Sequence, residues 1–414
     1  MRIVLVIPSF PKLSETFIVS KFLGLLELGW DVHVVCNSSD PTEWKHVAAL
    51  QERHDVRRRV HVTWPVYPKW KPALNAPIRL AGTFVRQPRT VRRYLTDGAK
   101  RSLYRASRDI YLDAQLIALQ PDLVHFEFGA LAVGRMHIKQ RLGCKVIVSF
   151  RGYDINYVGL DQPEYYREVW ETADALHLLG EDLWQRALRR GCPATKPHAL
   201  IPPAIDVRYF DPGERVYDEE VGSENRPLRI LSVGRLEWAK GYEYALEAVS
   251  LLLQRGMVCE YTIVGDGRLF EAVAFARYQL GIEDLVHIAG ARDRVSTKAY
   301  MKRSDVLLHP SVAEGFSNAA LEAQAMQVPV VCSDAGGLPE NVVDGETGFV
   351  APRRDPEALA DKLALLASDP LLREKMGRAG RKRIKEHFQI EDQIERFSRL
   401  YSTVLGSSAV SNAA

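Results

Sequence analysis

The 414-residue chain has no apolar run approaching the roughly 20 residues that span a bilayer. Its apolar opening, residues 1–7, is cut by Pro8, too short for the core of a secretory signal, and reads as a first strand. Cysteine is scarce. The five (Cys36, Cys144, Cys192, Cys259, Cys332) form an odd, scattered set without a Cys-x-x-Cys, which fits ordinary buried thiols in a reducing cytoplasm. None of the eleven histidines lies two to four residues from another, so no local zinc motif exists.

Acids are nearly missing from one stretch. Between Arg53 and Arg108 stand fifteen Lys and Arg against Asp55 and Asp97, a local charge of +13 in a chain of net +3, so the remainder carries −10. Pro65, Pro68, Pro72, Pro77 and Pro88 make the first part of this stretch irregular in expectation. From Arg89 the pattern turns helical, with Val91, Leu95, Ala99 and Leu103 as an apolar stripe among arginines. Trp64, Tyr67 and Trp70 lie just upstream. Two readings stay open: a solvated basic face with inward aromatics, or a surface for anionic membrane at residues 53–108. Nucleic acid ranks last, since no recognition motif accompanies the charge, and no nucleic-acid partner is expected.

With 46% apolar and 26% charged residues, the composition is that of a soluble globular protein rather than a disordered or fibrous one. Its length suggests two to three domains at roughly 150 residues each. Short β-rich runs at 2–7, 31–36, 123–126, 145–150, 175–179 and 199–201 alternate with amphipathic stretches such as 17–28. The alternation resumes at 229–233, 260–264, 286–289, 306–309 and 328–332, with a helix pattern over 242–255. Such alternation implies α/β layers with parallel sheets. The polar break supports an amino-terminal domain over 1–205, a linker over 206–227 and a second domain over 228–387. The amphipathic tail 388–405 is free to pack back on the first. Ligands of open parallel sheets bind beyond the carboxyl ends of strands, so two such domains facing each other would build one site in the cleft between them.

Three strand-to-helix loops carry chemistry. In the first, Gly234-Arg235 and Lys240-Gly241 bracket a loop ahead of a helix, and two cations beside a helix start suit phosphate oxygens. In the second, His309 is followed by Glu314-Gly315-Phe316-Ser317 and, over a turn into a helix, by Glu322. Carboxylates accept from vicinal hydroxyls of a sugar or ribose, and the amides of 315–317 add donors. A glycosidase is the other use of paired carboxylates. The phosphate loop favours a nucleotide sugar instead. The third turn, Ala335-Gly336-Gly337-Leu338-Pro339-Glu340, again follows a strand and opens a helix.

These pieces, with Asp344-Gly345-Glu346-Thr347-Gly348-Phe349, resemble the nucleotide-binding half of the family-four retaining glycosyltransferases. The resemblance implies the GT-B fold, two facing Rossmann-like domains with an interdomain cleft. It further implies that Gly234, Arg235 and Lys240 bind the donor diphosphate, that Glu322 takes the ribose hydroxyls, and that Glu314 with Gly315, Phe316 and Ser317 holds the transferred sugar. No metal or other cofactor is expected of such enzymes, and the chain contains no Asp-x-Asp, the metal-binding pair of the other glycosyltransferase fold.

The amino half, through Ile7-Pro8-Ser9-Phe10-Pro11-Lys12-Leu13-Ser14-Glu15-Thr16-Phe17, Val124-His125-Phe126-Glu127-Phe128-Gly129 and Ser149-Phe150-Arg151-Gly152-Tyr153-Asp154, is similar to a subgroup acting in exopolysaccharide and lipopolysaccharide assembly. There the family places a catalytic histidine where this chain has Glu127, and another histidine where it has Arg151. His125 and Glu127 are therefore the catalytic candidates beside Glu314, with a Glu127–Arg151 salt bridge as the alternative. The implied activity is retaining transfer from a nucleotide diphosphate sugar to a saccharide or lipid-linked acceptor, in the cytoplasm or at the inner face of the membrane. A sugar-nucleotide epimerase or a non-catalytic binding module are the rival readings.

Overall fold

The computed structural model describes residues 1–12, 16–46, 50, 53, 55–64, 70–99, 102–217 and 221–406, with backbone alone at 16, 46, 70–75, 97–99 and 103. Leu13, Ser14, Glu15, Pro65, Tyr67, Pro68, Lys100 and Arg101 lie outside the described residues, as do Asp218, Glu219 and Glu220. The chain divides into two compact units. One holds residues 1–178, 184–201 and 393 onward; the other holds 179–183 and 202–392.

The first unit is built on a seven-stranded sheet: β1 (Arg2–Ser9), β2 (Asp31–Ser38), β3 (Val60–Val62), β4 (Leu123–Phe126), β5 (Lys145–Phe150), β6 (Ala175–Leu178) and β7 (His198–Leu200). Their spatial order is β3-β2-β1-β4-β5-β6-β7, all parallel. Helices cover both faces, which is why β1 reads as an unbroken apolar run, with Ile3, Val4, Leu5, Val6 and Ile7 all buried. The helix Thr16–Glu27 buries Ile18, Phe22 and Leu25 at helical spacing. The last helix, Ile390–Leu405, joins this unit from Gln393 onward. Its approach is so close that a Cβ added to Gly24 would lie 2.1 Å from Ile394 Cδ1.

The second unit carries six parallel strands: β8 (Leu228–Val233), β9 (Cys259–Val264), β10 (Val286–Gly290), β11 (Val306–His309), β12 (Val330–Ser333) and β13 (Gly348–Ala351), in the order β10-β9-β8-β11-β12-β13. Its core packs Ile230, Tyr261 and Leu308 of the sheet with Leu246, Val249 and Leu252 of the helix Tyr242–Gln254 and Leu363 of the helix Pro356–Ser368.

Three expectations are corrected here. The proline-rich stretch is not irregular over 70–86: it forms the helix Trp70–Arg86. Pro72 falls in the first turn, where backbone N–H groups have no intrahelical partner, and Pro77 sits on the exposed side. The stripe from Val91 to Leu103 spans two helices, Pro88–Ala99 and Leu103–Leu112, not one. The edge strands β3 and β13 went unforeseen, because three or four residues show no period and pairing alone makes them strands. The described residues of 206–227 form neither helix nor strand and are counted with the second unit. Phe210 and Val221 are buried, and isolated apolar anchors of this kind carry no periodic signal. Trp64 packs edge-on against Tyr111, with ring centres 5.0 Å apart, and the Arg79 guanidinium lies over its ring. All five cysteines are buried without a disulfide, and burial pushes Cys36 and Cys259 up to about 11.

Candidate functional site

In the second sheet β8 lies between β9 and β11, so the winding direction reverses there. Loops leaving β8 and β11 diverge over a crevice of the kind that holds ligands in open α/β sheets. Backbone bonds anchor the β8 loop to β9 and stitch it to the β11 loop. Gly234 N–H donates to Val264 C=O at 3.0 Å, and Val312 N–H to Ala239 C=O at 2.9 Å. Gly241 has φ +62°, and a Cβ there would stand 2.4 Å from the carbonyl oxygen of Pro310. Only glycine allows that approach. Gly337 presses equally close on Gly315, with 2.1 Å from a notional Cβ to its carbonyl oxygen.

This scaffold brings Lys240 and Glu314 together. Lys240 Nζ donates to Glu314 Oε2 at 2.5 Å, His309 Nε2 lies 3.2 Å from the same oxygen, and Ser311 Oγ donates to it at 3.4 Å. Burial works to raise the Glu314 pKa, but Lys240 and then His309 hold it down at about 2. Burial and the Lys240 charge keep His309 below the usual histidine range, so it is neutral and gives its Nε2 proton to the carboxylate. All three donors converge on Oε2. Among the described residues Oε1 has no hydrogen-bond partner, and Lys240 donates to Glu314 alone, with two protons unspent.

The other expected residues are distributed as follows. Arg235 is exposed, and its guanidinium has no hydrogen-bond or ion-pair partner among the described residues. Gly315 and Phe316 are buried, and their backbone amides have no hydrogen-bond partner among the described residues. Ser317 is different. Its amide donates to Asn341 Oδ1 at 2.9 Å, and its hydroxyl caps the helix Asn318–Ala325 by accepting from Ala320 N–H at 3.2 Å. The expected three-amide cradle is therefore two amides, because Asn341 occupies the third. Glu322, half-buried, has no hydrogen-bond partner for its carboxylate among the described residues, and burial raises its pKa to about 7 against the pull of Arg294. Arg294 itself lies 4.1 Å above the ring of Tyr209.

In the first unit, His125 and Glu127 sit inside, each with no solvent-exposed surface. They belong to a hydrogen-bond chain whose proton positions the geometry dictates. The carbonyl of Ile201 can only accept, so His177 donates to it from Nε2 at 2.9 Å. Burial and the nearby cations hold both histidines neutral, with pKa values well below the ordinary range. His177 Nδ1 is then bare and accepts from Ser149 Oγ–H at 2.7 Å. Ser149, its proton spent, accepts from His125 Nε2–H at 2.7 Å. His125 Nδ1 in turn accepts from Tyr401 Oη–H at 2.7 Å and Lys21 Nζ–H at 3.1 Å.

Glu127 closes the chain. It receives Lys21 Nζ at 2.5 Å on one oxygen and Arg151 Nη2 at 2.6 Å on the other, while Arg151 Nε–H reaches its carbonyl at 3.1 Å. The Glu127–Arg151 salt bridge is thus present. Burial alone would raise the Glu127 pKa, yet Lys21, His125 and Arg151 bring it well below the usual carboxylate range. Asp154 accepts the amides of Gly129, Arg151 and Ile155 and so fixes the loop that carries Arg151. Ser149→Ala would strand the Nε2 proton of His125 and bare Nδ1 of His177, at about 1–2 kcal/mol for each buried group. Denaturant unfolding is expected to register a loss of about 2–4 kcal/mol, against less than 1 for an exposed serine.

Sequence reasoning missed Lys21, His177 and Tyr401, and gave no role to Ser149, His309, Ser311, Arg294 or Asn341. Lys21 did leave a signal, since it shares the apolar stripe of Ile18, Phe22 and Leu25.

Residues 15–203 match the family described as Glycosyl transferase 4-like domain, and residues 214–383 match Glycosyl transferases group 1. The chain is 29% identical to the amylovoran biosynthesis glycosyltransferase AmsK of Erwinia amylovora over 385 residues, covering 89% of this chain and 91% of that one. It is 29% identical, over 88% of its length and 90% of the relative's, to the putative colanic acid biosynthesis glycosyltransferase WcaL of Escherichia coli K12. Its fold superposes on Anabaena HepE, solved in complex with UDP-glucose, with a TM-score of 0.70 at 15% identity over 97% of this chain and all of that one. Matched in both halves, in that order, the chain belongs to the glycosyltransferases that join a transferase 4-like domain to a group 1 domain in the GT-B fold.

Proposed function

We propose that the chain transfers a sugar, with retention of anomeric configuration, from a nucleotide diphosphate sugar to a hydroxyl of a saccharide or lipid-linked glycan, in the assembly of a cell-surface polysaccharide at the inner face of the membrane. One observation carries this reading: Lys240 and Glu314 are locked together beside His309, yet both keep unspent capacity, two protons on the cation and Oε1 on the acid. A cation with spare donors, the free guanidinium of Arg235 and the amides of Gly315 and Phe316 suit a diphosphate. Glu314 Oε1 suits a hydroxyl of the transferred sugar, and the unpartnered carboxylate of Glu322 suits the ribose diol. The UDP-glucose held by HepE on the same fold supports the donor class, and the names of AmsK and WcaL support the polysaccharide context.

In the reaction the bond from C1 to the diphosphate oxygen breaks with its electron pair, and the acceptor oxygen bonds C1 from the same face. The acceptor proton passes to the departing phosphate, the nearest base on that face. Arg235, Lys240 and the two amides stabilise the charge that develops there. His125 and Glu127, expected to be catalytic, are fully enclosed, so their role becomes one of position: with Lys21 they hold Arg151 at the carboxyl edge of the first sheet.

The test has two arms. Transfer is assayed with nucleotide sugars and saccharide acceptors, the anomeric configuration being read from proton couplings. An inverted product overturns retention. An epimerised donor without acceptor favours an epimerase, and binding without transfer a non-catalytic module. The second arm reads Glu322. Ribose hydroxyls donate to the ionised carboxylate, so donor affinity rises with pH through about 7. By titration calorimetry it is expected to be about tenfold weaker at pH 6 than at pH 8. Glu322→Gln is expected to flatten that profile, and an unchanged profile removes Glu322 from the donor site.

A further inference from the structure

Among the described residues, no helix is long and apolar enough to cross a membrane. The helix Trp70–Arg86 nonetheless turns its apolar side to water. Ile78 is 76% exposed, Val85 78% and Phe84 41%. Pro77, Ala81 and Gly82 complete the same side, and the helix contains no acid. Its inward side is fixed by Leu80, which packs against the small core of Val91, Tyr94, Ile110 and Ile117, and by the buried Thr83. A surface helix ordinarily does the reverse. The next helix, Pro88–Ala99, exposes Arg89, Arg92 and Arg93 while burying Val91 and Tyr94, so Arg86 and Arg89 follow Val85 by one and four residues.

We propose that this face docks the protein on an anionic lipid bilayer, with Ile78, Phe84 and Val85 entering the acyl boundary and the flanking arginines meeting lipid phosphates. Apolar anchors ringed by cations are what an interfacial helix requires. The charge selects the partner. A second copy would set one +13 segment against another, and nucleic acid offers nothing to an apolar side chain, whereas an anionic bilayer complements both features. This inference stands apart from the transferase reaction, since docking is measured without donor or acceptor.

The experiment is co-sedimentation of the full chain with vesicles of one part phosphatidylglycerol to two of phosphatidylcholine, and with pure phosphatidylcholine. Strong binding to the anionic vesicles is expected, falling as salt rises, because each cation near the lipid contributes about fivefold in affinity. Ile78→Glu with Val85→Glu leaves every arginine in place and touches only exposed positions. It is expected to weaken binding at least tenfold with an unchanged melting temperature. Three outcomes overturn the proposal: no binding to anionic vesicles at low salt, equal binding by the double variant, or a dimer in sedimentation velocity that the double substitution dissolves.

Discussion

Replacing Lys240 by alanine is expected to lower kcat/KM by about a hundredfold or more, with the second unit still folded. Two losses combine. One is a charge-assisted contact to the leaving diphosphate, about 1.5–3 kcal/mol, a difference felt most where charge develops in the transition state. The other is the orientation of Glu314, since its Oε2 is held by Lys240 at 2.5 Å and Oε1 points where that bond sets it. Lys240 is also the main charge holding Glu314 near pKa 2, so without it the carboxyl takes up a proton at higher pH. The acid limb of the kcat/KM profile is therefore expected to move upward in Lys240→Ala. Side-chain exposures of 21% and 15% for the pair let water fill the gap, so the melting temperature should change little. A variant that melts far lower and keeps the wild-type acid limb would make Lys240 a structural residue.

Glu127→Ala is the largest expected loss of stability. Glu127 has no exposed surface, and its removal strands Lys21, 1% exposed, and Arg151, 11% exposed, without a counter-charge. Breaking a buried ion pair from one side costs about 3–5 kcal/mol. In a unit of this size that lowers the melting temperature by about 6–20 °C. Lys21→Met should cost less, because the Glu127–Arg151 pair survives it. The pH dependence has a definite sign. Burial lowers the Lys21 pKa to about 8, Glu127 acting against it, so above pH 8 the unfolded chain holds a proton that the folded chain has released, and stability rises with pH toward 10.5. Without Glu127 the folded pKa falls further. The defect of Glu127→Ala should accordingly shrink between pH 7 and 9 in thermal unfolding, and a defect independent of pH would show that Lys21 stays protonated.

The Lys240 loop was legible because everything it needs is local: a strand end, two cations, two glycines and a helix start within ten residues. Glu314 and Glu322 were legible for the same reason. Their states were not. One carboxyl is held near pKa 2 and the other near 7, a contrast set by which cation folding brings alongside each. In the amino half, His125 on β4 and Ser149 on β5, with Glu127 and Arg151 just past the ends of those strands, could be seen as polar. That they share one hydrogen-bond chain with Lys21 and His177 depends on strand order, and Tyr401 reaches His125 across 276 residues. Ser317 shows the converse, since a residue well suited to a ligand is already spent on Asn341.

Alternation of apolar runs at periods of two and 3.6 was enough to establish parallel sheets with crossover helices, because side-chain direction and burial are properties of neighbouring residues. Proton positions, ion pairs and the side a helix turns to water were decided only on folding. The apolar stripe of Trp70–Arg86 can be traced in the chain, but that it faces outward follows from Leu80 and Thr83 being taken into the core. Desolvation and hydrogen bonding depend on atoms within a few ångströms, and which atoms those are is a property of the packed molecule, not of the order of its residues.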